Sequence, residues 1–157
     1  MLVFAGSVRN NFGVRLSRRT DYSFRLLILL GIDSDRTVPL SDAAARLGVS
    51  SNHLAKIAQE LAHAGIVETV RGRNGGVRLT EHGLSMRVGD VVRALEPVDL
   101  VECFDAEANT CRLSPSCRLA SILEDAGEAF LASLDAYRVS DLCSKPAKLR
   151  RLLVLPG

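Results

Sequence analysis

Residues 48–79 read GVSSNHLAKIAQELAHAGIVETVRGRNGGVRL, and the periodicity changes twice within them. Gly48-Val49-Ser50 has the character of a tight turn. After it, Leu54, Ile57, Ala58 and Leu61 recur at the i, i+3, i+4, i+7 spacing of a helix with one buried face, and Gly65 is placed to stop it. Ile66 to Val70 then alternates as a strand, Arg71 to Gly76 turns, and Val77-Arg78-Leu79 returns. Asn-Gly between two strand-patterned runs, here Asn74-Gly75, is a strong local signal for a hairpin. Upstream, Ser41-Asp42 opens a shorter helix that carries Ala44 and Leu47 and ends at Gly48. Two helices across a short glycine-containing turn make a helix-turn-helix, and the hairpin behind them is a wing.

Working outward, Phe24, Leu27, Ile28 and Ile32 predict a helix that Ser17 or Thr20 caps. A loop with Asp33, Ser34, Asp35 and Pro39 ends it. Beyond Gly83, Val88, Val91, Val92 and Leu95 form a short helix before Pro97. A long amphipathic helix runs from about Arg118 to Tyr137, with Leu119, Ile122, Leu123, Ala126, Phe130 and Leu134 on one face. That helix is too long for this small domain to cover alone, so it predicts a homodimer, with docking within the chain as the alternative. With no Trp and few aromatics, the core must come from Leu, Val, Ile and Ala. The fold class expected is mainly α with a small β-hairpin wing: a winged helix-turn-helix plus a long C-terminal dimerisation helix.

The net charge of +2 conceals an asymmetry. Residues 14–82 hold ten Lys/Arg against seven acids, whereas 83–135 hold four against ten. A basic first half suits a nucleic-acid partner. The first residues of the second helix, Ser51, Asn52, His53 and Lys56, are of the types that meet base edges and phosphates in a major groove. On the wing, Arg71, Arg73 and Arg78 suit phosphate or a narrow minor groove, and the amides of Gly75 and Gly76 could reach phosphate as well. No nucleophile–base set, Walker loop or dinucleotide fingerprint is present, which disfavours an enzyme. No apolar run is long enough to span a bilayer, and MLVFAGSVRNNFG lacks the positive start of a signal peptide. A cytoplasmic protein, not associated with membrane, is the expectation.

Three of the four cysteines, Cys103, Cys111 and Cys117, lie in LVECFDAEANTCRLSPSCRL at C-x7-C-x5-C, among turn formers such as Asp105, Asn109 and Pro115. Reduced thiols are the rule in the cytoplasm, so ligation is favoured over disulfides. A structural zinc more often has a close C-x2–4-C pair, and the wide gaps suit a larger object such as an iron–sulfur cluster. Unligated cysteines are the plain alternative, and Cys143 reads as a bystander beyond the long helix.

Taken together, RLSRRTDYSFRLL, the 48–79 stretch, VGDVVRALEP and LVECF…C…PSCRL resemble the Rrf2 family of bacterial transcription regulators, from Val14 to about Leu155. SSNHLAKI, the LEP–LVECF junction, SPSCRL and AFLASLDAYRVSDL are most similar to its nitric-oxide-sensing repressors. The resemblance implies an iron–sulfur cluster, one per subunit, 4Fe–4S favoured over 2Fe–2S, with Cys103, Cys111 and Cys117 as ligands. It implies a fourth ligand from the partner subunit at the position of Asp21, for which the ordinary alternative is an acid complementing the helix dipole. It also implies operator DNA as partner, nitric oxide as signal, and recognition helices that shift when ligation is lost. The seven-residue first gap is wider than in several such repressors, and with the VETVRGRNGGVRL wing it also resembles an iron-responsive branch. The iron–sulfur-biogenesis branch carries a histidine where this chain has Ala120, which argues against that branch.

The organisation expected is therefore a loosely ordered tail over 1–13, a DNA-binding domain over 14–97, a cluster-binding cysteine loop over 98–117, a dimerisation helix and turn over 118–143, and a C-terminal tail over 144–157. Val14 would make a natural beginning if a non-ATG codon encodes it. From a different class, a zinc-stabilised interaction module without DNA binding is the rival, and the Arg-rich wing disfavours it.

Overall fold

The computed structural model describes residues 15–34, 36–72, 75–96, 100–105 and 107–153. The expected tail over 1–13 lies outside them, as do Arg73, Asn74 and Pro97. Helix α1 (Arg18–Ile32) opens on Ser17, whose hydroxyl accepts from the Thr20 amide and so satisfies one of the free N–H groups of the first turn. Leu26, Leu27, Leu29, Leu30 and Ile32 are all buried. That is wider than the single stripe read from Phe24, Leu27, Ile28 and Ile32, because α1 is packed on several sides.

Helix α2 (Leu40–Leu47) ends at Gly48, which takes a left-handed conformation (φ +64°) that lets the chain reverse in two residues. Ser50 then caps α3 (Ser51–His63) by accepting from the His53 amide. Leu54, Ile57, Ala58 and Leu61 turn inward against α1 and α2. This is the helix-turn-helix. Strands β1 (Val67–Val70) and β2 (Gly76–Leu79) pair antiparallel, Val67 with Leu79 through Val70 with Gly76. Val38, before α2, adds a bridge to Val77 through two bonds of 2.8 and 2.9 Å, so the wing is fastened to the helices. Gly76 allows that fastening, since a Cβ there would stand 2.2 Å from the Val38 carbonyl oxygen.

A short helix α4 (Glu81–Ser85), not anticipated by periodicity, precedes α5 (Val88–Leu95). After the cysteine loop, α6 (Arg118–Asp135) packs on α5, where the Arg93 guanidinium forks onto Asp135 at 2.8 and 2.9 Å. The six apolar residues expected on one face of α6 divide. Leu123 and Leu134 are half-buried toward the chain, whereas Leu119, Ile122, Ala126 and Phe130 are exposed. Helix α7 (Val139–Leu142) buries Val139 in the core, and α8 (Pro146–Leu152) forms where a tail was expected. Both reach back to α1, which also touches α2, α3, α5 and β2. The core is thus built around α1. Asp33 at its end accepts from Arg36 (2.9 Å) and Arg46 (2.7 Å), and Arg150 of α8 stands 3.6 Å away.

Candidate nucleic-acid interface and cysteine loop

Ser51, Asn52, His53 and Lys56 all project into solvent from the first turns of α3 while Leu54 and Ile57 are buried beneath them. The local pattern fixes this: the apolar spacing turns one face inward and leaves the polar residues on the other. Arg71 is exposed on the wing. Arg78 is exposed too, but it pairs across the strands with Glu68 at 2.6 Å. The Gly75 amide donates to the Gly72 carbonyl at 2.9 Å and is engaged within the turn, and Gly76 lies against the Val38 backbone. Arg73 lies outside the described residues.

Beside α3, the start of α1 opens a groove of about 290 Å³ between Arg18, Arg19 and Tyr22 on one wall and His53, Lys56 and Glu60 on the other. Arg19 pairs with Glu60 at 3.6 Å and also donates to the Leu95 carbonyl at the end of α5. The Glu96 carboxylate accepts from the Ser17 amide at 3.1 and 3.3 Å. The exit of α5, which leads to the cysteine loop, is therefore bound to the entrance of α1, and Arg19 continues the connection to α3. Nothing in the sequence alone assigned a role to Arg18, Arg19, Glu60 or Glu96. Adjacent arginines at 18 and 19 were the available signal for the groove, whereas a bond between positions 17 and 96 leaves no local trace.

The cysteine loop is shaped by polar side chains. Asp105 accepts from the Glu107 and Ala108 amides, Asn109 accepts from the Cys111 amide and donates to Ser114, and Thr110 donates to Glu102. Two 3-10 turns, Glu102–Phe104 and Ser114–Ser116, frame it. Cys103, Cys111 and Cys117 are all half-buried free thiols, and Cys117 is the residue from which α6 starts. Cys103 faces a groove of about 550 Å³ with Phe104 and Ser114 on the loop side and Leu123, Gly127 and Leu131 on α6. Cys117 lies in a different depression with Arg112, Leu113 and Pro115. Among the described residues, no three cysteine, histidine or carboxylate side chains come together at metal-binding spacing. Asp21 stands exposed in the first turn of α1 with both oxygens accepting from Arg25 (2.7 and 3.3 Å). Cys143 is elsewhere, its sulfur against Gly31 of α1, and burial pushes its thiol above the ordinary range.

A family model described as Rrf2, iron-dependent transcriptional regulator, matches residues 16–145. The chain belongs to the Rrf2 family. Among its relatives is the HTH-type transcriptional regulator NsrR of Geobacillus kaustophilus, 45% identical over 142 residues, 89% of this chain and 97% of that one. NsrR of Halalkalibacterium halodurans is 40% identical, covering 90% and 99%. The fold matches the solved structure of IscR from T. potens with a TM-score of 0.67 at 23% identity, over 92% of this chain and 95% of that one. It also matches CymR, the global cysteine regulator of B. subtilis, with a TM-score of 0.64 at 23% identity, over 83% and 97%. This Rrf2 chain is a transcriptional regulator and not an enzyme, and the winged helix-turn-helix is the family's fold. No helix among its described residues is long and apolar enough to cross a membrane.

The donor chemistry of the loop fits an iron–sulfur cluster. Three unpaired thiols on one segment, half-open to solvent on a loop shaped by local polar bonds, are soft ligands that can adjust to a polynuclear group.

Proposed function

We propose that this Rrf2 regulator is a homodimeric, cytoplasmic repressor whose affinity for operator DNA is governed by an iron–sulfur cluster and by nitric oxide. Cys103, Cys111 and Cys117 would hold the cluster, one per subunit and 4Fe–4S in preference to 2Fe–2S, with Asp21 supplied by the second subunit. A cluster with one oxygen-ligated iron supplies a site accessible to a small diatomic. The carrying observation is the junction where Ser17 and Arg19 bind Glu96 and Leu95. It links the approach to the cysteine loop with the turn bearing Asp21 and, through Glu60, with α3. The chain's residues then have separable tasks. Asn52 and its neighbours on α3 read bases, Arg71 and Arg73 on the wing meet the backbone, and the junction carries a change in the loop to the reader. A hundredfold loss of affinity needs only about 2.7 kcal/mol of difference between the two states.

Anaerobic purification, iron and sulfide analysis, and band shifts during nitric oxide titration test this reading. Cys103→Ala, Cys111→Ala and Cys117→Ala are each expected to lose the cluster, while Cys143→Ala keeps it. Asp21→Ala is expected to retain some cluster with altered absorbance and to bind operator poorly. Full occupancy in any of the three loop variants removes that residue from the ligand set. A second reading, iron or cluster status as the signal, is favoured by the family's description as iron-dependent. Release of DNA on iron chelation without nitric oxide distinguishes it.

A further inference from the structure

We infer that the groove between the start of α1 and α3 seats a backbone phosphate of the bound duplex, held by Arg18 and Lys56. The inference rests on the reading of α3 as the base-contacting helix and adds a contact outside that helix and the wing.

The groove's charge is unbalanced. Arg18, Arg19 and Lys56 line it against one acid, Glu60. Arg19 already meets that acid and the Leu95 carbonyl, whereas among the described residues Arg18 and Lys56 form no ion pair. The two unneutralised cations belong to opposite walls of a groove that the half-buried Tyr22 and the buried Ile57 also line. An anion between the walls would meet both.

Arg18 gives its own helix nothing in return. It occupies the first residue of α1, where the dipole disfavours a cation by a few tenths of a kcal/mol. Its side chain is exposed, so neither packing nor pairing accounts for it there.

Geometry supplies the occupant. A helix with its side chains is about 10–12 Å across and nearly fills a major groove about 12 Å wide. The sugar–phosphate strand must then pass along the helix flank. His53, Lys56 and Glu60 follow i, i+3, i+7 on α3 and form that flank, next to the Ser51–Asn52 tip. Phosphate contacts of this kind fix register without reading sequence.

The test uses the purified full chain with two probes: a duplex selected by the wild-type protein from a random pool, and poly(dI-dC). Arg18→Ala is expected to weaken both by a similar several-fold factor and to lower the slope of log affinity against log salt by about one. Arg18→Glu should weaken both further. The thermal midpoint of Arg18→Ala should stay level or rise, because a cation opposing the dipole is removed; a lost structural contact would lower it. Unchanged affinity and slope in both Arg18 variants overturns the phosphate seat, as does a loss confined to the selected duplex. A wild-type protein that enriches no duplex from the pool and does not bind poly(dI-dC) overturns the reading of α3 and the seat with it.

Discussion

Asp33 concentrates much of what ties the C-terminal end of the chain to its beginning. Burial by itself raises the carboxyl's pKa, but hydrogen bonds from Arg36 and Arg46 and their charges outweigh this and hold it below its ordinary value of 3.8. A carboxyl lowered on folding contributes stability that is complete above its unfolded value and lost as pH falls through the folded one. Asp33→Asn is therefore expected to cost about 2 kcal/mol at pH 7, because Arg46, itself mostly buried, loses its nearer acid and keeps Asp42 at 3.6 Å and the Leu153 carbonyl. The gap between variant and wild type should narrow below about pH 4. Urea denaturation at pH 7 and pH 3 measures this, and an equal gap at both would mean that Asp33 is not the group that titrates. None of this was legible from Asp33 in the sequence, where it read as a loop residue. Its partners lie three, thirteen and 117 positions away, and only the nearest is visible to local spacing.

At the level of elements, the helix-turn-helix and wing were readable because each boundary has a residue with one physical job: Gly48 reverses the chain, Ser50 caps α3, and alternation marks the strands. The bridge from Val38 to Val77 was not, since a single backbone pair leaves no pattern in the residue types. Gly76→Ala tests how much the wing depends on it. The added methyl meets the Val38 carbonyl, which as backbone cannot swing aside, so a loss of about 1–3 kcal/mol is expected. DNA affinity should fall with it as the wing shifts, measured by chemical denaturation beside band shifts. The cysteine loop was legible as a set of ligands but not as a shape. Its form comes from Asp105, Asn109 and Ser114 bonding to near neighbours, and the three thiols do not close around a point within one chain. Periodicity on α6 gave the helix but merged two faces into one, since Leu123 and Leu134 turn toward the chain and Ile122 and Phe130 away from it.

Across the molecule, the outward face of α6 leaves apolar side chains that the chain's own packing does not cover: Leu119 is 58% exposed, Ile122 51% and Phe130 37%. In a homodimer these residues would be covered, each contributing about 1 kcal/mol because roughly half of its surface is already buried within the chain. Ile122→Glu and Phe130→Glu are accordingly expected to weaken self-association at least tenfold each without unfolding the chain, by sedimentation and circular dichroism. A sedimentation profile identical to wild type for both would place the dimer contact elsewhere. The central position of α1 has a different consequence, which concerns time. Its apolar sides are completed by α7 and α8, more than a hundred positions downstream. During synthesis at about 5–20 residues per second, α1 must wait on the order of ten seconds for these neighbours. Until they arrive, the side of α1 that they cover faces water or a chaperone, which leaves the partly made chain open to aggregation.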